Sequence, residues 1–513
     1  MGKHRAMVGE APGSIRLDRR CSGVLLHLTC LPGRFGCGDL GPEAYRFAEW
    51  LAAAGQRYWQ MLPIGPVGDG PEFSPYNSPS AFASAEILIS PERLVADGWL
   101  SRGRLRKVGS LPEGRVDYEG ALGLRLGLVE EIWAEAGGQR LPEFAAFCAR
   151  EQGWLEAWSV FRACQRVYPG VPWTRWPVRL KAGPAGLKTW GRSAGGEVER
   201  VLRLAEQVRF EQFLFEQQWQ GLRSHCAGVG VGLIGDMPIY VGGNSADVWQ
   251  HRELFELKRD GSPRLVSGCQ PDDFNAMGQL WGHPIYRWEA HRASGYGWWL
   301  ARFGRTAGQF DAVRVDHFIG FTRGWAVAAG AADARRGRFV AAPGMELLTG
   351  VRGSFGGLDI IAEDLGLLTE EAAGLRDHFG LPGMRVLQFA FGELNSYHAP
   401  HNTPENSVMY TGTHDNETSL GWYRGADRAA RGRFGVYAGG LSDPAWRMVC
   451  LCLQCPARLA VVPLQDVLGL GNEARVNVPG VLEGNWRWRV RPGMIPGKLA
   501  GRLAEVSRLF GRC

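Results

Sequence analysis

Apolar residues along this chain gather into short runs bounded by Gly, Pro, Asp and Asn, alternating with longer stretches of helical spacing. The runs predict strands at Val24–Leu28, Tyr58–Leu62, Gly232–Met237, Ala312–Asp316, Asp359–Glu363, Met384–Phe389, Val408–Thr411 and Leu459–Pro463. Helical patterns occupy Glu43–Ala54, Trp154–Arg166 and Glu197–Ala227. A short strand followed by a longer helix, repeated to eight strands, fits an α/β fold of the (β/α)8 barrel type better than an open sheet.

Spacing between the runs is uneven. From Leu62 to Gly232 is far longer than one helical crossover, so residues 95–195 are expected to form a helical inserted subdomain. A second insertion, 243–300, follows the third strand and is expected to line the active site. The stretch after Pro463 is too short for a substantial C-terminal β-domain. The expected organisation is therefore one catalytic barrel over 20–513 with these helical insertions after the second and third strands, and an N-terminal extension over 1–19. The string Gly230-Val-Gly232-Leu-Ile-Gly235 matches GxGxxG, but it leads into a strand rather than out of one, the reverse of a dinucleotide-binding turn.

Composition narrows the function classes. With 45% apolar residues, 20 Trp, 12 Tyr and 23 Phe the chain can bury a large core, which excludes intrinsic disorder. The 72 glycines show no three-residue period, and no apolar run is long enough to span a membrane. The net charge of +6 comes from Arg and Lys scattered along the whole chain without a basic stripe, so neither nucleic acid nor a membrane is an expected partner. Eleven cysteines, behind a polar and basic Met1 to Arg20, point to reduced thiols in a cytoplasm. Cys450, Cys452 and Cys455 contain a single CxxC with no second pair or His nearby, and read as small apolar fillers on a buried helix rather than a zinc site.

Four predicted strands end in, or run into, an acidic residue: Asp236, Asp316, Glu363 and Asp415. Barrel enzymes carry their chemistry at that end of the strands, and convergent carboxylates there are what glycosidic-bond chemistry needs. Arg314 and Asp316, two apart on one strand, share a face, so the guanidinium would favour an ionised Asp316 suited to nucleophilic attack. Glu363 is the partner expected to act as general acid/base, its proton held by burial and a neighbouring anion. His414, Asp415 and Asn416 offer three consecutive polar side chains for sugar hydroxyls; a metal-binding role for His414 lacks a second His at ligand spacing.

Many separate segments then resemble one family. They include Ser22-Gly-Val-Leu-Leu-His27, Trp59-Gln-Met-Leu-Pro63, Ser74-Pro-Tyr76, Gly235-Asp-Met-Pro-Ile-Tyr-Val241, Gly278-Gln-Leu-Trp-Gly282, Val313-Arg-Val-Asp-His-Phe318, Ile361-Ala-Glu-Asp-Leu-Gly366, Thr411-Gly-Thr-His-Asp-Asn416, Asn477-Val-Pro-Gly480 and Asn485-Trp-Arg-Trp-Arg489. In this order, from about Arg20 to Arg489, they resemble the 4-α-glucanotransferases (amylomaltase, or disproportionating enzyme) of the α-amylase clan.

The resemblance implies a retaining, double-displacement transfer between α-1,4-glucans, with maltooligosaccharides as donor and acceptor and no cofactor or metal. It makes Asp316 the nucleophile, Glu363 the acid/base and Asp415 the carboxylate that holds the sugar hydroxyls and favours the transition state. Arg314 and His414 match residues that support the nucleophile and the sugar being transferred, and Asp236 matches an architectural carboxylate. Tyr76 and Trp281 match aromatic linings of sugar subsites, and Asp272 an acceptor-side contact. Departures from the family pattern at Ala85-Glu86, Cys269, Gln270, Asp273, Asn275, His283 and Ile319 bear on acceptor subsites and chain-length preference, not on the reaction class. A hydrolase of the same clan would use the same carboxylates with water as acceptor. An inactive glycan-binding protein would not need them intact. Oligomeric state has no signature in the sequence.

Overall fold

Twelve strands form among the described residues: β1 (Cys21–Leu25), β2 (Tyr58–Gln60), β3 (Gly232–Met237), β4 (Leu265–Cys269), β5 (Gln279–Pro284), β6 (Ala312–Val315), β7 (Arg323–Ala328), β8 (Gly337–Ala341), β9 (Asp359–Ala362), β10 (Gly383–Val386), β11 (Ser407–Tyr410) and β12 (Leu459–Pro463). The computed structural model describes residues 17–68, 73–136, 141–184, 196–271, 276–366, 368–440 and 442–513. Most of the expected extension over 1–19 thus lies outside the described residues.

Eight strands close a parallel barrel in the order β1-β12-β11-β10-β9-β6-β3-β2. Each overlaps one of the eight expected runs, β1 by Val24 and Leu25 only, because strands covered on both faces carry apolar side chains on both. The ends differ where an apolar run outlasts its strand. The sixth run continues past Val386 into the tight helical turn Leu387–Phe391, and the first past Leu25 into the turn Leu28–Cys30. β1 and β2 approach closely at Gly23, where a Cβ would stand 2.6 Å from the Tyr58 carbonyl oxygen.

Between β2 and β3 the described residues fold mainly into helices. Gly196–Gly228 is a 33-residue helix, burying Phe215, Trp219 and Leu222, and Gln152–Val167 packs along it with Trp158 and Phe161 buried. Arg166 joins them, bound to Glu211 at 2.7 Å, while Arg162 holds Glu86 at 3.0 Å. The lone CxxC sits at the end of helix Pro444–Gln454, and Cys452 Sγ contacts the carbonyl oxygen of Met409 on β11, so this cysteine fills the interface with the barrel.

One element departs from expectation. The insertion after β3 was expected to be helical, yet it carries β4 and β5, and β7 and β8 after the fourth barrel strand complete a four-stranded antiparallel sheet, β5-β4-β7-β8. Its edge strands, Gln-Leu-Trp-Gly-His-Pro and Gly-Arg-Phe-Val-Ala, are half-exposed and interrupted by Gly or polar residues, so neither presents an apolar run. Among the described residues no helix is long and apolar enough to cross a membrane.

Candidate active site

Strand register assembles the site. Asp236 on β3 pairs with Arg314 on β6, and Val315 pairs with Ala362 on β9. The next residues along, Asp316 and Glu363, therefore emerge side by side at the C-terminal end of the barrel. Arg314 is buried between two carboxylates. Its Nη1 donates to both oxygens of Asp236 at 2.8 Å, and its Nη2 lies 2.9 Å from Asp316 Oδ1. Tyr76 adds a donor from the loop after β2, its hydroxyl 2.7 Å from Asp236 Oδ2. Burial pushes that phenol well above its ordinary value, so it remains a donor. The Asp316 side chain is 30% exposed against 5% for Arg314, so the first can meet a ligand while the second stays behind it.

Glu363 is held by two backbone donors, His317 N–H at 2.6 Å and Leu365 N–H at 3.1 Å. His317, the first of these donors, adopts a left-handed conformation, φ 51°. Such a geometry is rare for a residue with a side chain and is concentrated at functional sites. Burial pushes the Glu363 carboxyl up to about 8; Arg314 opposes this and Asp316 adds to it. Trp281, on β5 of the small sheet, meets the His317 ring edge-on with centroids 4.8 Å apart.

Across the barrel mouth, His414 stacks on Tyr76 (5.2 Å, 12°), and Trp486 leans on both at 5.8 and 5.9 Å. Asp415 is 43% exposed, with His414 Nε2 at 3.3 Å from its Oδ1. Asn477 Nδ2 donates to the same oxygen at 2.6 Å, and Arg475 grips the Asp415 and Asn477 carbonyls at 2.7 and 2.8 Å. Asn416 faces inward to its own loop, its Oδ1 accepting from Thr413 N–H and Oγ1 at 2.8 and 2.9 Å. The structure thus brings together Asp236, Arg314, Asp316 and Glu363, and places Tyr76, His414, Asp415 and Trp281 around them. Asp272 lies outside the described residues.

Sequence reasoning gave no role to Asn477, Arg475 or Trp486, although Asn477 and Trp486 lie in segments that carried the resemblance. Their function is to hold Asp415 and His414 in place, which no local pattern announces. Among the described residues no cluster of three or more His, Cys, Asp or Glu is arranged to hold a metal ion.

A family model described as 4-alpha-glucanotransferase matches residues 26–495. The chain belongs to this family. It is 42% identical over 510 residues to the 4-alpha-glucanotransferase of Thermus thermophilus, covering 96% of this chain and 99% of that one. It is 39% identical over 507 residues to the Synechocystis sp. 4-alpha-glucanotransferase, covering 97% and 99%. The amylomaltase of Streptococcus agalactiae, solved in complex with acarbose, superposes with a TM-score of 0.90 at 31% identity, covering 96% of this chain and all of that chain (100%). Within this 4-α-glucanotransferase family member, two departures from the family pattern have structural settings. Glu86 is buried against Arg162, and His283 lies two residues from Trp281 on β5, where burial pushes its imidazole down to about 4 with Asp316 opposing.

Proposed function

We propose that the carboxylates carry out the family's reaction, moving a glucan segment from one α-1,4-linked oligosaccharide to another, by double displacement. Asp316 attacks the anomeric carbon of the donor as Glu363 passes its proton to the departing glycosidic oxygen, leaving the glucan esterified to Asp316. The 4-hydroxyl of an acceptor then returns a proton to Glu363 and displaces the Asp316 carboxylate, restoring the α configuration. Asp415 accepts hydrogen bonds from the hydroxyls of the sugar at the bond being broken, Tyr76 and His414 flank that sugar, and Trp281 faces the acceptor side.

One observation carries this reading. Two neighbouring carboxyls are given opposite tasks by their surroundings: Asp316 has its charge matched by Arg314, while burial holds the proton on Glu363 up to about 8. Residues 243–300, which carry Trp281, belong to the site in this reading, residues 95–195 form an inserted helical subdomain, and 20–513 act as one catalytic unit. A cytoplasmic setting agrees with the eleven cysteines, all of which are free.

Incubating the pure protein with maltotriose tests the reaction. Transfer yields glucose together with a ladder of chains longer than the substrate. Shorter products alone would establish a hydrolase, and unchanged maltotriose a binding protein. Asp316→Asn should abolish the ladder while leaving the circular dichroism spectrum and the unfolding midpoint as they are.

A further inference from the structure

A large concavity lies away from the carboxylates of the candidate active site, between the inserted helices and the barrel helix Gly297–Gln309. It encloses about 1040 Å³, and none of Arg314, Asp316, Glu363, His414 or Asp415 lines it. That volume is at the upper end of the range of small-molecule sites. We propose that this cleft is a non-catalytic binding site for a stretch of α-glucan; the ligand class rests on the function proposed above.

The wall chemistry selects a neutral, hydroxyl-rich ligand. Five acidic residues line the cleft (Glu143, Glu151, Glu216, Asp247 and Glu253) against the two arginines Arg150 and Arg305. That excess of negative charge opposes phosphates, nucleotides and other anions. Two of the carboxylates are fixed but only partly used. Glu151 accepts from Arg150 Nε at 2.9 Å and Trp154 Nε1 at 2.7 Å, and Glu216 accepts from Arg305 Nη1 and Gln220 Nε2, each at 3.0 Å. A carboxylate offers about four acceptor positions, so each has capacity beyond these two donors, and each side chain keeps a small exposed part, 15% for Glu151 and 12% for Glu216. The apolar part of the wall mixes aromatic residues with Ala157, Ala246, Leu254 and Ala301. Trp154 is half-buried with the Arg305 guanidinium 5.0 Å from its ring centre, and the buried rings of Phe82, Phe147, Phe213 and Trp298 back the wall beneath it. Rigid carboxylates beside aromatic and guanidinium planes suit a pyranose, which has hydroxyls at its rim and C–H groups on its faces.

The cleft is also tied to the catalytic side through one segment of chain. Arg305 Nε donates to the Phe82 carbonyl at 3.2 Å, and Asp247 Oδ2 accepts from Ala81 N–H at 2.9 Å. That segment begins a few residues after Tyr76, so a glucan seated in the cleft rests on the strap that carries a residue of the active site.

Stoichiometry tests the proposal. In Asp316→Asn, where turnover is halted, titration calorimetry with maltoheptaose should give two molecules bound per chain. Adding Trp154→Ala should weaken the second binding event by at least about tenfold and leave the first in place. Because removing Trp154 could disturb the fold, Gly153→Leu/Gly308→Leu serves as a second variant. A Cβ at either glycine meets no atom within 4 Å, so this change fills the cleft without deleting a contact. It should likewise leave one molecule per chain, with wild-type rates on maltotriose when placed in the active enzyme. One molecule per chain before any cleft substitution, or two per chain in both cleft variants, overturns the proposal. Absence of transfer by the native protein would instead overturn the function from which the ligand class is taken.

Discussion

Glu363 acts as an acid only while it carries its proton, and the site holds that proton unusually firmly. Burial pushes the carboxyl from 4.5 up to about 8, against the opposition of Arg314. The difference corresponds to about 5 kcal/mol in favour of the neutral acid. At pH 7 roughly nine-tenths of the molecules then carry protonated Glu363, whereas an unperturbed carboxyl would leave roughly one in 300. The perturbation that tests this is pH, read on two donors. Breaking maltotriose releases a sugar oxygen that needs a proton, whereas α-maltosyl fluoride releases fluoride, which does not. kcat/KM for the donor reports the protonation states of the free enzyme, before the intermediate forms. With maltotriose it should stay level to about pH 8 and then fall about tenfold per pH unit as the acid form is lost. With the fluoride it should remain level over the same interval. A maltotriose profile already falling near pH 5, or two donors that fall together, would refute the assignment of Glu363 as the buried acid.

Further expectations follow from single contacts. Asn477→Ala removes the 2.6 Å hydrogen bond that holds Asp415. A bond to a charged group contributes about 1.5–3 kcal/mol, so kcat on maltotriose should drop roughly 10- to 150-fold while the melting temperature barely moves; an unchanged kcat would show that Asp415 needs no such support. Tyr76→Phe keeps the ring on His414 but deletes the 2.7 Å bond to Asp236, so kcat should fall about tenfold with KM little altered. A rise in KM alone would make Tyr76 purely a sugar platform. Gly23→Ala should lower stability in urea unfolding by about 1–3 kcal/mol, because its methyl group meets the Tyr58 carbonyl oxygen at 2.6 Å. Unaltered stability would mean that β1 and β2 can separate freely.

The barrel was legible because a parallel strand covered on both faces has no polar alternation to obscure it. The carboxylates were legible because each stands at the end of such a run. The small sheet was not. β5 contributes Trp281 to the site through a half-exposed strand that contains Gly282 and ends at Pro284, and β7 pairs Trp325 with Phe339 across two short segments that look like loop. Asn477 escaped for another reason. It reaches Asp415 across 62 residues of sequence from a loop of its own, and no periodicity connects two loops that meet only once the barrel has closed. Asn416 illustrates the reverse case, a polar side chain beside the Asp415 carboxylate whose own oxygen closes its turn on Thr413.

The buried arginine gives a structural role to Asp236, whose side chain is fully buried against it. Arg314 alone with Asp316 would neutralise it, and the pair could fold onto itself. With both oxygens of Asp236 on Nη1, the arginine is fixed in position and its charge is shared. With both aspartates ionised and Glu363 protonated, Asp236, Arg314, Asp316 and Glu363 carry one net negative charge, on the aspartate side of the cluster. In the proposed mechanism, attack would convert Asp316 into a neutral ester, and Glu363, having given up its proton, would become the negative member. The net charge of the cluster is unchanged and has only moved from β6 to β9. Since Asp316 is among the groups that hold the Glu363 carboxyl up, its esterification releases part of that hold while Arg314 remains in place. In that mechanism the residue needed as an acid in the first half of the reaction would thereby be favoured as a base in the second.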